Sequence, residues 1–164
     1  MRLESFNAQS HDAAVASIRP CADIDRWVDA VVAGRPYDTV DDALTLADRE
    51  ARTWDATDVD AALAHHPRIG ERPGGDSAEA ELSRTEQANV GADADAQRAL
   101  LEGNRAYEER FGRVFLIRAA GRSADEILAE LQRRLTNDAE TESTEVAEQL
   151  REIALLRLEG TLTA

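Results

Sequence analysis

The sequence predicts an all-α chain, and three observations predict it. Alanine, leucine, glutamate and arginine dominate the 164 residues, and all four are strong helix formers. Aromatic residues make up only 4% and β-branched runs are scarce, which disfavours a sandwich or barrel. Helix-start and helix-stop residues recur along the whole length. The expected architecture is a single compact domain, residues 1–164, of about eight helices.

Taken in order, Ile24, Trp27, Val28, Val31 and Val32 fall at helical spacing within 21–33, and Gly34 stops the run. Thr39 with Asp41 and Asp42 opens a second helix carrying Leu44, Ala47, Ala51 and Trp54 on one face. Thr57 or Asp58 caps a short helix that ends near Ala64. Pro67 through Asp76 reads as a loop broken by Gly70, Pro73, Gly74 and Gly75. Ser83 to about Val90 reads as a new helix start, with Ser83 and Glu86 as its capping box. Asp93 to Phe111 is a long helix closed by Gly112. Ser123-Ala-Asp-Glu126 is another capping box, followed by Ile127, Leu128, Leu131 and Leu135. A last helix from about Glu142 to Leu158 places Val146, Leu150, Ile153, Ala154 and Arg157 along one side, and Gly160 is expected to end it. Val114 to Ile117 alone has strand character, too short to build a sheet.

The formal charge of −14 argues against nucleic acid, because phosphate binding needs a basic face and none is visible. All 19 basic residues are arginine, and the acidic bias suits a high-GC or salt-adapted host. A single cysteine, Cys21, excludes an intrachain disulfide and makes a cysteine-based metal site implausible, as in a reducing cytosol. No apolar run approaches the roughly 20 residues that span a bilayer. The residues Met1 to Asn7 lack the apolar core of a signal peptide, and the final Leu-Thr-Ala is no peroxisomal address. A cytoplasmic protein that engages neither membrane nor nucleic acid is the expectation.

Groups able to do chemistry are few. Only three histidines occur, His11, His65 and His66, so neutral-pH proton transfer has to run through the adjacent pair His65-His66. His66 precedes Pro67, which pushes its backbone out of the α region and sets it at a helix end beside the glycine-rich loop. Such a histidine can face a cleft, or it can simply cap the last carbonyls of the helix. Neighbouring histidines are not metal-ligand spacing, since residues i and i+1 point to different sides of a helix. No metal is expected. At Ser83 to Glu86 a helix N-terminus would gather free amides, a hydroxyl and a carboxylate where an anionic group could sit, although a capping box alone explains the same residues. Arg157 lies among Leu155, Leu156 and Leu158, where an arginine snorkels, pairs with a carboxylate, or holds a ligand by a two-pronged hydrogen bond. Arg105 and Tyr107 read most simply as surface and core, and Cys21 as an inert small residue.

Several segments together resemble the 2-oxo-4-hydroxy-4-carboxy-5-ureidoimidazoline (OHCU) decarboxylases of urate degradation. They are Phe6-Asn7, Gly34-Arg-Pro-Tyr37, Ala64-His-His-Pro-Arg-Ile-Gly70, Ser83-Arg-Thr-Glu-Gln87, Asn104-Arg-Ala-Tyr107, Arg110-Phe-Gly-Arg-Val-Phe115, Ala120-Gly-Arg-Ser123 and Arg157-Leu158. Any one is weak, but the ordered set over roughly residues 3 to 160 is specific. The resemblance implies a small all-helical, cofactor-free decarboxylase, typically a homodimer, that yields (S)-allantoin. It implies His66 as acid–base, Pro67 in the pocket wall and Glu86 as second catalytic carboxylate. It makes Ser83, Arg84, Thr85 and Gln87 a substrate-binding turn. Phe115, Leu116, Ile117, Arg118 and Ala119 match a second binding segment, an irregular pocket wall, and Arg157 matches a ligand-contacting arginine. Arg118 departs from relatives that carry a small or sulfur-containing residue, which directs the expectation to its backbone. His65 has no matching role.

The chemistry suits that inventory. Loss of carbon dioxide from OHCU leaves an electron pair that the adjoining carbon–nitrogen double bond absorbs, so the substrate is its own electron sink. The protein has to supply orientation, donors for developing charge and a proton on one face. Two other readings remain open. A non-catalytic acidic helical interaction module would use the same surface, though it explains the His-Pro loop poorly. A metal-dependent hydrolase lacks the histidines of a conventional site.

Overall fold

The computed structural model describes residues 1–64, 66–70, 77–88, 90 and 93–164. Among these residues it contains nine α-helices and no strand, only an isolated bridge between Arg2 and Thr163. The helices are α1 (Leu3–Ala8), α2 (His11–Ile18), α3 (Asp25–Ala33), α4 (Val40–Ala51), α5 (Ala56–Leu63), α6 (Ala78–Glu86), α7 (Ala94–Phe111), α8 (Ala124–Arg134) and α9 (Ala139–Thr163). A 3-10 turn at Arg19–Cys21 joins α2 to α3. The chain divides into two units, Met1–Ala64 with Leu150–Ala164, and His65–Gln149.

In the first unit, α3 buries Trp27, Val28, Val31 and Val32, the stripe that its spacing predicts. On α4 the buried face is Ala43, Ala47 and Ala51. The Trp27 indole donates to the Ala47 carbonyl at 2.9 Å, satisfying a buried N–H. Thr39 and Asp42 form a reciprocal capping box on α4. The cap of α5 is Asp55, paired with Asp58, rather than Thr57 or Asp58 themselves. Asp55 precedes the helix with extended backbone, and Asp58 closes the box as its third residue. Helices α1 and α2 escaped the sequence reading. The short α1 is held by distant groups. Asn7 Nδ2 donates to the Tyr37 carbonyl at 2.8 Å, and the Tyr37 amide donates back to Asn7 Oδ1 at 3.0 Å. Arg35 donates to the carbonyls of Phe6 and Gln9 at 2.6 and 3.0 Å, with its guanidinium over the Phe6 ring.

In the second unit, Ile69, Leu100, Tyr107, Phe115, Ile117, Ala119, Ile127 and Leu131 form one core. Gly112 closes α7 in the left-handed region at φ 68°, which favours glycine. Ser123 and Glu126 cap α8 reciprocally. Two expected boundaries are corrected. α9 begins at Ala139, not near Glu142, because Asp138 accepts from the Thr141 amide at 2.7 Å. It also runs through Gly160 to Thr163, since a glycine in a helix weakens it without obliging it to stop. Val114 to Ile117 pairs with no strand.

Candidate active site

Helix α5 ends at Leu63 with Ala64 as its C-cap, so His66 stands beyond the helix and is half-buried. His65 and the loop from Glu71 to Asp76 lie outside the described residues. Three anchors fix the segment from His66 to Gly70. Arg68 pairs with Glu108 on α7 at 2.6 Å. Asn104, also on α7, donates from Nδ2 to the Ile69 carbonyl at 3.0 Å. The Gly70 amide donates to Gln87 Oε1 at 3.0 Å, with Gly70 at φ 86°. That last bond draws the His-Pro segment to the end of α6.

Helix α6 overturns one expectation. Its cap is Ser77, which accepts from the Ala80 amide, and Glu86 is its last residue. Ser83 and Glu86 therefore lie at the C-terminal end of a helix and form no capping box, and the anion site inferred from free N-terminal amides falls with it. The Ser83 carbonyl accepts from the Gln87 amide at 3.0 Å, as a closing turn should. The physical reason lies upstream. Ala78 to Leu82 are good helix formers and Ser77 follows the Pro-Gly-Gly breaker, so the helix starts there. Ser83 is buried at 3% exposure, and Glu86 is half-buried. Three residues apart, they share one face of α6. Arg84 and Thr85 are exposed, and Thr85 donates to the Glu81 carbonyl at 3.1 Å.

Phe115 to Ala119 runs without helix. Phe115, Leu116, Ile117 and Ala119 are buried while Arg118 is half-buried. The Arg118 amide donates to Gln149 Oε1 at 2.9 Å. Its side chain lines a pocket of roughly 480 Å³ with Arg122, Glu126 and Glu130. His66 and Glu86 are not among the lining residues of that pocket.

Arg157 belongs to the first unit, whereas the other candidate residues belong to the second. It is 4% exposed, and its Nη1 donates to the Pro20 carbonyl at 3.1 Å. Cys21 is buried near the Thr161 hydroxyl, 3.8 Å away. Among the described residues no group of three or more histidine, cysteine or acidic side chains is placed to hold a metal. Tyr107 is buried and Arg105 exposed, as read.

Sequence reading missed a buried polar cluster in the second unit. Arg134 and Glu142, each 1% exposed, pair at 2.5 Å, and the Tyr107 hydroxyl donates to Glu142 Oε1 at 2.5 Å. Burial, and then the bond to Glu142, raise the Tyr107 phenol above its ordinary range. In the sequence both charged residues look like ordinary dipole-complementing charges at helix ends, so no local signal separates them from surface residues.

Among the described residues the chain is helical, and the segment after the His-Pro junction is tied by Gly70 to Gln87 at the end of α6. The chain belongs to the OHCU decarboxylase family, whose model matches residues 7–159. A crystal structure of OHCU decarboxylase in the presence of (S)-allantoin is similar at TM-score 0.74 and 26% identity, covering 88% of this chain and 95% of that one. A crystal structure of (S)-allantoin synthase, 14% identical, shares the fold at TM-score 0.72 over 99% of this chain and 54% of its own. The uric acid degradation bifunctional protein of Bacillus sp. (strain TB-90) is 24% identical over 163 residues, 97% of this chain. The chain spans only 32% of that relative's length.

Proposed function

We propose that the chain is a carboxy-lyase that removes carbon dioxide from OHCU to give (S)-allantoin in urate degradation. Family membership supports the substrate. The observation that carries the site is the Gly70–Gln87 hydrogen bond of 3.0 Å, which ties the His66 segment to the end of the helix bearing Ser83 and Glu86.

In this reading the bond to the carboxylate carbon breaks and its electron pair moves into the adjoining carbon–nitrogen double bond. The nitrogen takes up a proton, and the enol so formed gives up its hydroxyl proton to become a carbonyl while the ureido-bearing carbon gains a proton on one face, which sets the (S) configuration. His66 carries that proton, its imidazole suited to transfer near neutrality. Glu86 orients His66 or holds the ureido and hydroxyl groups, and Pro67 forms pocket wall. Ser83, Arg84, Thr85 and Gln87 contribute one binding segment, Phe115 to Ala119 a second, and Arg157 holds the ligand by its guanidinium fork. Because the Arg118 amide is engaged by Gln149, that residue's contribution comes through its remaining groups. No step calls for a cofactor or metal, since the substrate holds its own electron sink. The working form is a cytoplasmic homodimer whose subunits are each one catalytic domain.

The test is loss of OHCU, generated in place from urate, followed by ultraviolet absorbance. Decay well above the spontaneous rate, and unchanged by a chelator, is expected. Decay at the spontaneous rate would leave the acidic interaction module as the better description.

A further inference from the structure

We infer that Arg134, backed by Glu142, Tyr107 and Gln149, is a positioning residue for the reaction: it holds the backbone of Phe115 to Ala119 at the level and direction that substrate binding needs. The inference rests on the proposed role of that segment. A fully buried guanidinium–carboxylate pair is costly to desolvate, and packed apolar side chains would stabilise the fold as well. Its value lies in direction. Glu142 Oε1 accepts from Arg134 Nε at 2.9 Å and Nη2 at 2.5 Å, and from the Tyr107 hydroxyl. Its other oxygen accepts from Asn137 Nδ2 at 3.0 Å. With that edge of the planar fork fixed, the remaining nitrogen, Nη1, donates to the Leu116 carbonyl at 2.7 Å. The Phe115 ring covers the guanidinium face, 4.6 Å from its carbon to the centroid.

A second clamp lies two residues along. The Arg118 amide donates to Gln149, which sits about two turns from Glu142 on α9 and so on the same face. Leu116 and Arg118, two residues apart, are both gripped by their backbone, a carbonyl by α8 and an amide by α9. The raised Tyr107 phenol stays protonated through neutral pH and so keeps its hydroxyl as a donor to Glu142.

The experiment compares wild type with Arg134→Lys, which keeps charge and loses the fork, and Tyr107→Phe, which removes one hydrogen bond and keeps the ring. For OHCU, KM should rise roughly tenfold in the first and about threefold in the second, with kcat within about twofold and an unchanged pH–rate profile. Amide exchange at Leu116 to Ala119 should quicken more than elsewhere in the unit. If Arg134→Lys does not fold, Tyr107→Phe carries the test. A wild type that turns over OHCU, with variants that melt lower but keep KM and local exchange, overturns the inference alone. A wild type without turnover overturns the proposed function, and the inference with it.

Discussion

Pro67 constrains His66 before any tertiary contact does, because the proline ring excludes the α region for the residue before it. The His-Pro junction was therefore legible in sequence. Replacing His66 by alanine should lower turnover by roughly two to four orders of magnitude, the scale of a lost acid–base group. His65→Ala is the control, and a larger loss there would reassign the role. Glu86 enters as a candidate through the family resemblance, whereas its place in the helix was misread. A serine followed three residues later by glutamate signals a helix start only where no helix is already running, and Ser77 had begun one. A carboxylate at the last residue of α6 faces the negative end of the helix dipole, an unfavourable place for it. Glu86→Gln should fold normally, yet lose at least about tenfold in turnover, near 1.4 kcal/mol of transition-state stabilisation. Unchanged turnover with pure (S) product would remove Glu86 from the chemistry. The Arg134–Glu142 pair was illegible, because what distinguishes it is burial by residues far away in sequence.

At the scale of elements, caps proved the most readable feature. Thr39, Ser123, Asp93 and Gly112 stand where local rules set them. α1 is only six residues long, too short to hold itself together, and it depends on Arg35 and on the backbone of Tyr37. Nothing in its own pattern could announce that. Two helical glycines make a paired test. A Cβ on Gly160 would meet nothing within 4 Å, so Gly160→Ala should stabilise by about 0.5–1 kcal/mol through chain entropy alone. A Cβ on Gly103 would press into the Leu131 side chain, where α7 meets α8. Gly103→Ala should destabilise by about 1–3 kcal/mol, the cost of overpacking. Denaturant melts should move in opposite directions, and parallel shifts would contradict this packing.

For the whole molecule, charge is the dominant condition. At −14, self-repulsion opposes folding, so added salt should raise the melting temperature at pH 7. Against that background, hydrogen bonds from Arg26 to Asp58 and from Arg133 to Glu130 and Glu145 hold these carboxyls below their ordinary range. At Asp48 burial pulls upward, but bonds from Arg151 and Arg52 outweigh it. Lowered folded values mean that the unfolded chain binds more protons, so stability rises with pH. It is fully present above the unfolded values of about 4 and is lost as pH falls through the folded ones. In high salt, where repulsion is screened, the melting temperature should hold from neutrality to about pH 5 and drop below about pH 4. A rise on acidification there would contradict the pairing. The central claim, that this chain decarboxylates OHCU on one face, is tested most directly by circular dichroism of the allantoin formed. Fresh OHCU should give a growing (S)-allantoin signal with wild type and a slow, racemic, signal-free conversion with His66→Ala. Racemic allantoin from wild type at the uncatalysed rate would contradict it.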